Sequence, residues 1–505
     1  MEKTAPNYKY NPTKRIFGFT SFFGEYELPD KTYIVILLIA FSQGVVGLSD
    51  LALSYLYKDD LKLMPADVSR INSMIIIPWI IKPVYGLISD TIPIMGYRRK
   101  SYLFLFGFLS MFCWISMASY VKTTGQAIFF LMINQTSSAF CNVIGDALIV
   151  EMSRKQSHGD QEAAAKNVSM FFIVKSIGSL LTALASGILL EYIDKRKVFL
   201  ITSIFPLLII ISSLLLDENK YASNSNTNAE NEVIIEKSVS SNKVYGTINP
   251  IKDNETITNS VPSFSEQLTL FWSFLKKEQI YKPVIFIFLF MIPPSYSDPL
   301  FYFYTNELHF SPTIMGRLKL IYGISSLSGI WLYNAYLKSV NFKKIMWGTT
   351  ILSMFFNLLS ICLVKRVNLY FGISDFWFCV AADSLATSLG EINMMPILVL
   401  ACNICPKNIE GTIYAFLVSV VNCGVLFSNQ SGATFANVLG ITDSNFEHLV
   451  FLIVISNLSY LIPLPLLFLI NEEAYTKFQE YDSSKDFGKI EEDEVEHINK
   501  EKLDE

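Results

Sequence analysis

The chain has 505 residues, of which 51% are hydrophobic and only 17% are charged, and its formal net charge at pH 7 is −5. Soluble globular proteins carry roughly 25% charged residues, whereas the mean hydropathy of this chain is +0.38. The composition therefore excludes an ordinary soluble globular protein, and the small acidic net charge gives no indication of a nucleic-acid partner.

Apolar runs of about 20 residues recur along the chain, and a helix of that length crosses the roughly 30 Å hydrocarbon core of a bilayer. We therefore predict an all-α polytopic membrane protein with twelve transmembrane helices in two six-helix halves. In chain order the predicted spans are residues 32–57, 68–91, 101–121, 126–151, 167–191, 197–216, 282–306, 313–337, 345–364, 372–402, 410–437 and 449–470.

The segments between and around these spans define the predicted domains. Residues 1–31 form a polar, basic N-terminal segment with no cleavable signal peptide, and 32–216 form the first six-helix bundle. The linker 217–281 is rich in Asn and Ser; its last part is predicted either as an interfacial amphipathic helix or as the first turns of helix seven. The second bundle is 282–470, and an acidic tail follows at 471–505. The Lys and Arg bias favours a cytoplasmic location for both termini and the linker.

Three short matches link each half to the other. Ser49-Asp50 matches Ser297-Asp298 at an offset of 248 residues, and Gly145-Asp146 matches Gly390-Glu391 at an offset of 245. Ser186-Gly187 in helix five matches Ser431-Gly432 in helix eleven, again at 245. Each match joins a helix to the one six places later, which is the layout of the parallel repeats in the major facilitator fold.

Ionisable residues inside the spans are the main indication of function. Such a residue costs ~2.5–3.5 kcal/mol at the bilayer centre on insertion scales, so it normally faces a bundle interior or a water-filled cavity. Helices three, six, nine and twelve carry no charge in the interior of their spans, and these four are peripheral in the major facilitator architecture. The candidates for substrate binding or proton coupling are Asp50, Lys82, Asp146, Lys175, Asp298, Asp383 and Glu391.

Two readings of these charges remain open. Asp146 and Glu391 occupy equivalent repeat positions and are the preferred substrate or proton sites, while a structural ion-pair network that only holds helices together is the alternative. Arg317 and Lys319, near the outer end of helix eight, either snorkel to the membrane surface or face an anionic substrate.

The stretch between helices two and three carries a recognisable motif. Its residues Gly86, Asp90, Gly96, Arg98 and Arg99 resemble the major facilitator signature, in which an acidic helix end and a basic turn form a conformational latch between the halves. Here Gly96 follows Asp90 by six positions, which is a longer step than in the common form.

That departure is similar to the folate–biopterin transporter family. The residues that carry this second resemblance are Trp79, Lys82-Pro83, Tyr85-Gly86, Ser89-Asp90, Pro93 and Gly96-Tyr97-Arg98-Arg99, with Gly145-Asp146-Ala147 and Val150-Glu151 in helix four. The Asn-rich linker and the length are most similar to those of the malaria-parasite members of the family. The resemblance implies import of folates and related pterins or folate precursors by proton-coupled symport, with alternating access of the two halves.

Folate chemistry is compatible with the candidate residues. A carboxylate can accept hydrogen bonds from the amino-pyrimidinone edge of a pterin, and aromatic side chains supply stacking area. The aromatic residues around Asp298 (296 and 301–304) are predicted either to line a binding site or to pack as an interfacial belt. Lys82 or Lys175 would hold the carboxylates of the glutamate tail, and Asp146 or Glu391 would carry the proton.

Other functions are disfavoured or remain as alternatives. We expect no enzyme, no cofactor and no metal site, because no nucleophile–base arrangement or P-loop motif occurs and the Cys402–Cys405 pair has no second pair or nearby His. The remaining alternatives are a carrier for another organic solute, such as S-adenosylmethionine, an amino acid or an organic anion, and a non-transporting scaffold. We expect a multi-pass protein of the plasma membrane; the sequence does not indicate an oligomeric state.

Overall fold

The computed structural model describes residues 31–157, 161–218, 220, 272, 275–337, 340–404 and 410–469. The predicted N-terminal segment, the acidic tail and most of the linker lie outside these residues, and so does most of the predicted interfacial helix. The described residues are almost entirely helical, with one isolated β-bridge between Ile94 and Tyr97.

Every predicted span coincides with a helical segment. The N-half consists of α1 (Lys31–Val45, Leu48–Tyr55 and Leu56–Asp60), α2 (Pro65–Ile75, Ile77–Ile80 and Lys82–Thr91), α3 (Lys100–Ser119), α4 (Thr124–Ser157), α5 (Gln161–Tyr192) and α6 (Lys195–Thr202 and Pro206–Leu215). The C-half consists of α7 (Glu278–Met291, Ser297–Tyr302 and Phe303–Glu307), α8 (Pro312–Leu332 and Tyr333–Leu337), α9 (Phe342–Leu358 and Ser360–Val364), α10 (Asp375–Ile404), α11 (Glu410–Val438) and α12 (Leu449–Ser459 and Leu464–Leu469).

Length and composition agree with a membrane location. Among the described residues, eight helical stretches are long and apolar enough to cross a bilayer, and Ile280–Met291 in α7 is a shorter apolar helix. The expectation of an all-α polytopic membrane protein is confirmed. The domain boundaries at 216 and 282 stay predictions.

Prolines break two of the helices next to the positions that matter for function. The pieces of α2 that begin at Ile77 and Lys82 each have a proline at the start, Pro78 or Pro83. Proline lacks the backbone N–H that would continue the helix but fits its first turn. Lys82 therefore lies at the start of a helical piece.

The break in α7 lies at Pro293 and Pro294, and backbone groups there form hydrogen bonds with α11. The backbone N–H of Ser295 donates to the carbonyl oxygen of Ser428 (3.0 Å), and the Ser428 hydroxyl donates to the carbonyl oxygen of Pro293 (2.5 Å). A Cβ at Gly432 would lie 2.0 Å from the Ser295 carbonyl oxygen, so only glycine allows this approach. Backbone groups freed by the break are thus paired inside the protein, as a bilayer requires.

The two halves share an apolar core at one end of the molecule. We call the end where α1 begins the N-face and the end where α1 finishes the far face. One buried cluster at the far face includes Tyr57 and Phe199 of the N-half together with Tyr302 and Phe310 of the C-half. At the N-face the described apolar residues form separate clusters, around Leu103 in the N-half and around Phe286 in the C-half. The apolar core that the described residues of both halves share therefore lies at the far face.

Candidate functional site

A polar cluster in the N-half surrounds Lys82 of α2. Its ammonium group lies 3.5 Å from a carboxylate oxygen of Asp146 on α4 and donates a hydrogen bond to the Asn142 side chain. It also lies 5.5 Å from the centre of the Trp79 ring. The Lys82 side chain is only 7% exposed, whereas that of Asp146 is 49% exposed. A buried ammonium needs such partners. Asp146 is the solvent-exposed member of this ion pair.

Two further side chains complete this N-half cluster. Lys175 on α5 is half-buried and interacts electrostatically with Asp146 and Lys82. Gln43 on α1 accepts a hydrogen bond from the Asn142 amide at 3.0 Å. The structure therefore brings Lys82, Asp146 and Lys175 together, with two lysines for one carboxylate.

A second polar site lies in the C-half, around Asp383 of α10. One of its carboxylate oxygens, Oδ2, accepts hydrogen bonds from the hydroxyls of Tyr304 on α7 (2.8 Å) and Tyr322 on α8 (2.7 Å). These three side chains line a cavity of about 360 Å³. Tyr322 was not among the predicted site residues; a tyrosine in an apolar helix gives no sequence signal beyond packing.

Glu391 lies apart from the cavity lining, about two turns further along α10. One of its carboxylate oxygens accepts a hydrogen bond from the Ser326 hydroxyl of α8 at 2.8 Å. No ion pair of Glu391 occurs among the described residues. The equivalent positions Asp146 and Glu391 are therefore chemically different, since the first is paired with lysine and the second with a hydroxyl.

Asp50 and Asp298 lie at the contact between the halves. Asp50 on α1 forms a 2.9 Å ion pair with Lys319 on α8. The Asp298 carboxylate on α7 accepts hydrogen bonds from the Ser69 hydroxyl (2.7 Å) and the Asn72 amide (3.2 Å), both on α2. Sequence reasoning did not find these cross-half partners, because the pairing of helices from different halves has no local signal.

Close backbone packing accompanies these contacts. A Cβ at Gly187 on α5 would lie 2.7 Å from the Cα atom of Gly316 on α8. Nearby, the Thr313 hydroxyl donates a hydrogen bond to Glu191, and the Tyr302 hydroxyl donates to the Leu63 carbonyl oxygen at 2.6 Å. All of these contacts cross from one half to the other on the far-face side.

The predicted latch lies at the N-face. In the turn between α2 and α3, Gly96 has φ +82°, a left-handed conformation that suits glycine. The Arg99 guanidinium donates to the Ser89 hydroxyl at 2.9 Å, and Gly86 packs towards Val143 of α4. The side chain of Asp90 lies outside the described part of the structure, so its contact with Arg98 and Arg99 stays a prediction.

An acidic residue that sequence analysis did not select holds this turn. The Glu218 carboxylate accepts hydrogen bonds from the backbone N–H groups of Arg98 (2.7 Å), Arg99 (3.1 and 3.0 Å) and Lys100 (2.8 Å). It caps the start of α3, where unpaired N–H groups and the helix dipole favour an anion. From the sequence alone, Glu218 follows α6 and is simply the second residue of the predicted linker.

Similarity to known proteins extends over almost the whole chain. Residues 43–487 match the BT1 family. The folate-biopterin transporter of Synechocystis sp. is 36% identical over 87% of this chain and 81% of its own length. Folate transporter 2 and folate transporter 1 of Plasmodium falciparum are 33% and 31% identical, over 90% and 88% of this chain and 92% and 81% of their own lengths. These relatives are named as transporters and not as enzymes.

Solved structures with the same fold are more distant in sequence. The nucleoside transporter NupG superposes with a TM-score of 0.60 at 13% identity, over 87% of this chain and 99% of that one. A D-xylose-proton symporter superposes with a TM-score of 0.57 at 14% identity, over 86% and 96% of the two chains. The major facilitator architecture expected from the repeats is confirmed.

Proposed function

We propose that this chain, which belongs to the BT1 family, is a secondary transporter that imports folates and related pterins or folate precursors. The observation that carries the proposal is its identity of 31–36% to folate transporters along nearly its full length. Three residues of the stretches that resemble the family also have defined contacts in the structure: Gly86 packs towards α4, and Lys82 and Asp146 form the ion pair of the N-half cluster.

Alternating access is the mechanism that this architecture supports. The described residues join the halves through a shared core at the far face and keep separate apolar clusters at the N-face. If the termini are cytoplasmic, this arrangement corresponds to a state that is closed to the outside. Import then requires separation of the far-face contacts and approach of the N-face ends, with Asp90, Arg98 and Arg99 as the latch.

The N-half cluster is suited to the anionic part of a folate. Lys82 and Lys175 carry two positive charges against the single negative charge of Asp146, which leaves an excess positive charge beside a half-exposed carboxylate. We propose that this cluster attracts the glutamate carboxylates of the substrate. For proton coupling we propose one of the carboxylates Asp146, Asp383 or Glu391, because ionisable side chains inside membrane segments mark substrate paths and proton relays. The coupling carboxylate would gain and lose a proton between the two states.

The chain is a multi-pass membrane protein, and we place it in the plasma membrane. Fluorescence of a tagged chain at the cell surface, separated from internal membranes by a surface marker, tests that location. Labelling confined to an internal membrane would move the proposed transport step to that compartment.

Uptake of labelled folate into proteoliposomes tests the function, with and without an inward proton gradient. We expect saturable uptake that unlabelled pterins compete and that the gradient increases. Uptake that ignores the gradient would remove proton coupling and keep the substrate. No uptake, in vesicles with correctly inserted protein, would overturn the folate assignment and favour another organic solute.

A further inference from the structure

The cavity around Asp383 is a preformed pocket inside the C-half. Its volume of about 360 Å³ lies at the lower end of the range for small-molecule sites, roughly 300–1,000 Å³. The lining combines aromatic rings with a few polar groups, which is the usual composition of such sites. Residues from α7, α8, α9 and α10 contribute, among them Tyr296, Phe301, Tyr304, Tyr322, Asn357 and Asp383.

The charge of this cavity selects against an anion. Among the described residues that line it, Asp383 is the one that carries a charge, so the glutamate tail of a folate would meet repulsion there. The N-half cluster has the opposite balance, because Lys82 and Lys175 outnumber Asp146. The two halves thus offer an anion-binding site and a site for hydrogen-bond donors.

Both hydrogen bonds that the described residues donate to the Asp383 carboxylate go to the same oxygen. Tyr304 and Tyr322 both donate to Oδ2, while Oδ1 accepts no hydrogen bond from the described residues. Asn357 donates its amide N–H to Ser353 at 3.3 Å, which leaves its carbonyl oxygen as a second acceptor at the cavity. A ligand that fits these acceptors presents N–H or amino groups along one edge.

We propose that this cavity binds the pterin ring of the substrate, with Asp383 Oδ1 accepting a hydrogen bond from the 2-amino or ring N–H group. The inference rests on the proposed function and makes it more specific, because it separates the head and the tail of the substrate between the halves. The flat ring stacks among Tyr296, Phe301 and Tyr304, and the glutamate tail remains outside the acidic cavity. It also names the pterin-binding carboxylate, which the sequence left unassigned, as Asp383.

Binding of three probes to purified full-length protein in nanodiscs tests the inference. The probes are a pterin without glutamate, p-aminobenzoylglutamate without a pterin, and lumazine, in which oxygen replaces the 2-amino group. Loss of one hydrogen bond to a charged group corresponds to roughly a 10- to 100-fold loss of affinity. We expect Asp383→Asn to weaken pterin binding by that factor and to leave p-aminobenzoylglutamate binding nearly unchanged.

Lumazine distinguishes direct recognition from a structural role. The wild-type protein should prefer pterin over lumazine, and Asp383→Asn should reduce or reverse this preference, because the asparagine amide can donate to the lumazine oxygen. Merely impaired folding would weaken both ligands equally. Asp443→Asn, an exposed acid-to-amide change in the loop after α11, is the matched control and should alter neither affinity.

The outcomes separate the inference from the function it rests on. If the wild-type protein binds none of the probes and no folate, the proposed function fails. If it binds folate but Asp383→Asn lowers the affinities for pterin and p-aminobenzoylglutamate by the same factor, or leaves the pterin–lumazine preference intact, the pterin ring does not contact Asp383.

Discussion

Asp50 and Asp298 occupy equivalent positions in the two repeats, and each reaches across to a helix of the opposite half. Asp50 on α1 contacts Lys319 on α8, whereas Asp298 on α7 contacts Ser69 and Asn72 on α2. The far-face closure is therefore pseudo-symmetric in position and asymmetric in chemistry. Both contacts must separate before the far face can open.

Removal of the Lys319 charge should favour the state that is open at the far face. The ion pair with Asp50 is partly exposed, at 35% and 60% of the two side chains, so it contributes about 1 kcal/mol or less. We expect Lys319→Met to raise the open population by up to about fivefold. Spin labels at the exposed far-face positions Lys122 and Tyr370 would report this as a larger long-distance fraction. Lys319→Arg should restore the wild-type distribution; an unchanged distribution in Lys319→Met would rule out a gating role.

A methyl group at the glycine contact between α5 and α8 should keep the far face apart. In Gly187→Ala the new Cβ would lie 2.5 Å from the carbonyl oxygen of Pro312. Overpacking of this kind costs about 1–3 kcal/mol, so we expect slower transport and longer distances between far-face spin labels. Gly348→Ala is the control, because nothing lies within 4 Å of its Cβ position. Equal behaviour of the two variants would show that this helix contact does not limit closure.

Loss of the Lys82 ammonium should affect anionic substrates most. We expect Lys82→Ala to reduce uptake of folate, with its two carboxylates, by roughly tenfold or more, on the scale of one charge-assisted contact. Uptake of an uncharged pterin should fall much less. The comparison is a competition assay in proteoliposomes, with Lys122→Ala in an exposed loop as the control. Equal losses for both substrates would identify a lysine that only holds α2 and α4 together.

Neutralisation of Glu218 should loosen the turn before α3. A helix cap of this kind contributes about 1 kcal/mol, so Glu218→Gln should speed hydrogen exchange of the Arg98, Arg99 and Lys100 amides by about fivefold. Asp217→Asn is the neighbouring control, since Asp217 pairs with Lys31 at 2.8 Å. If exchange at the three amides stayed at the wild-type rate, Glu218 would have no part in holding the turn.

Sequence reasoning found the helices because membrane length and apolar character are local properties. It also selected Lys82, Asp146 and Lys175, which the structure brings together, because a charge inside an apolar run has few places to go. Partners that depend on tertiary contacts were missed. Tyr322, Ser69 and Asn72 are ordinary residues of their helices, and only the docking of α8 on α10 or of α2 on α7 gives them a carboxylate to contact.

We expect α7 to bend at its break, where hydrogen bonds join it to α11. Its break is tied to α11 through Ser295 and Ser428, and the Asn422 amide of α11 in turn donates to the Trp79 carbonyl oxygen of α2 at 3.4 Å. We therefore expect bending at Pro293 and Pro294 to displace α11. We expect the piece of α7 that carries Asp298 to move together with α11. Opening of the far face would then displace α2, which carries Trp79 and Lys82.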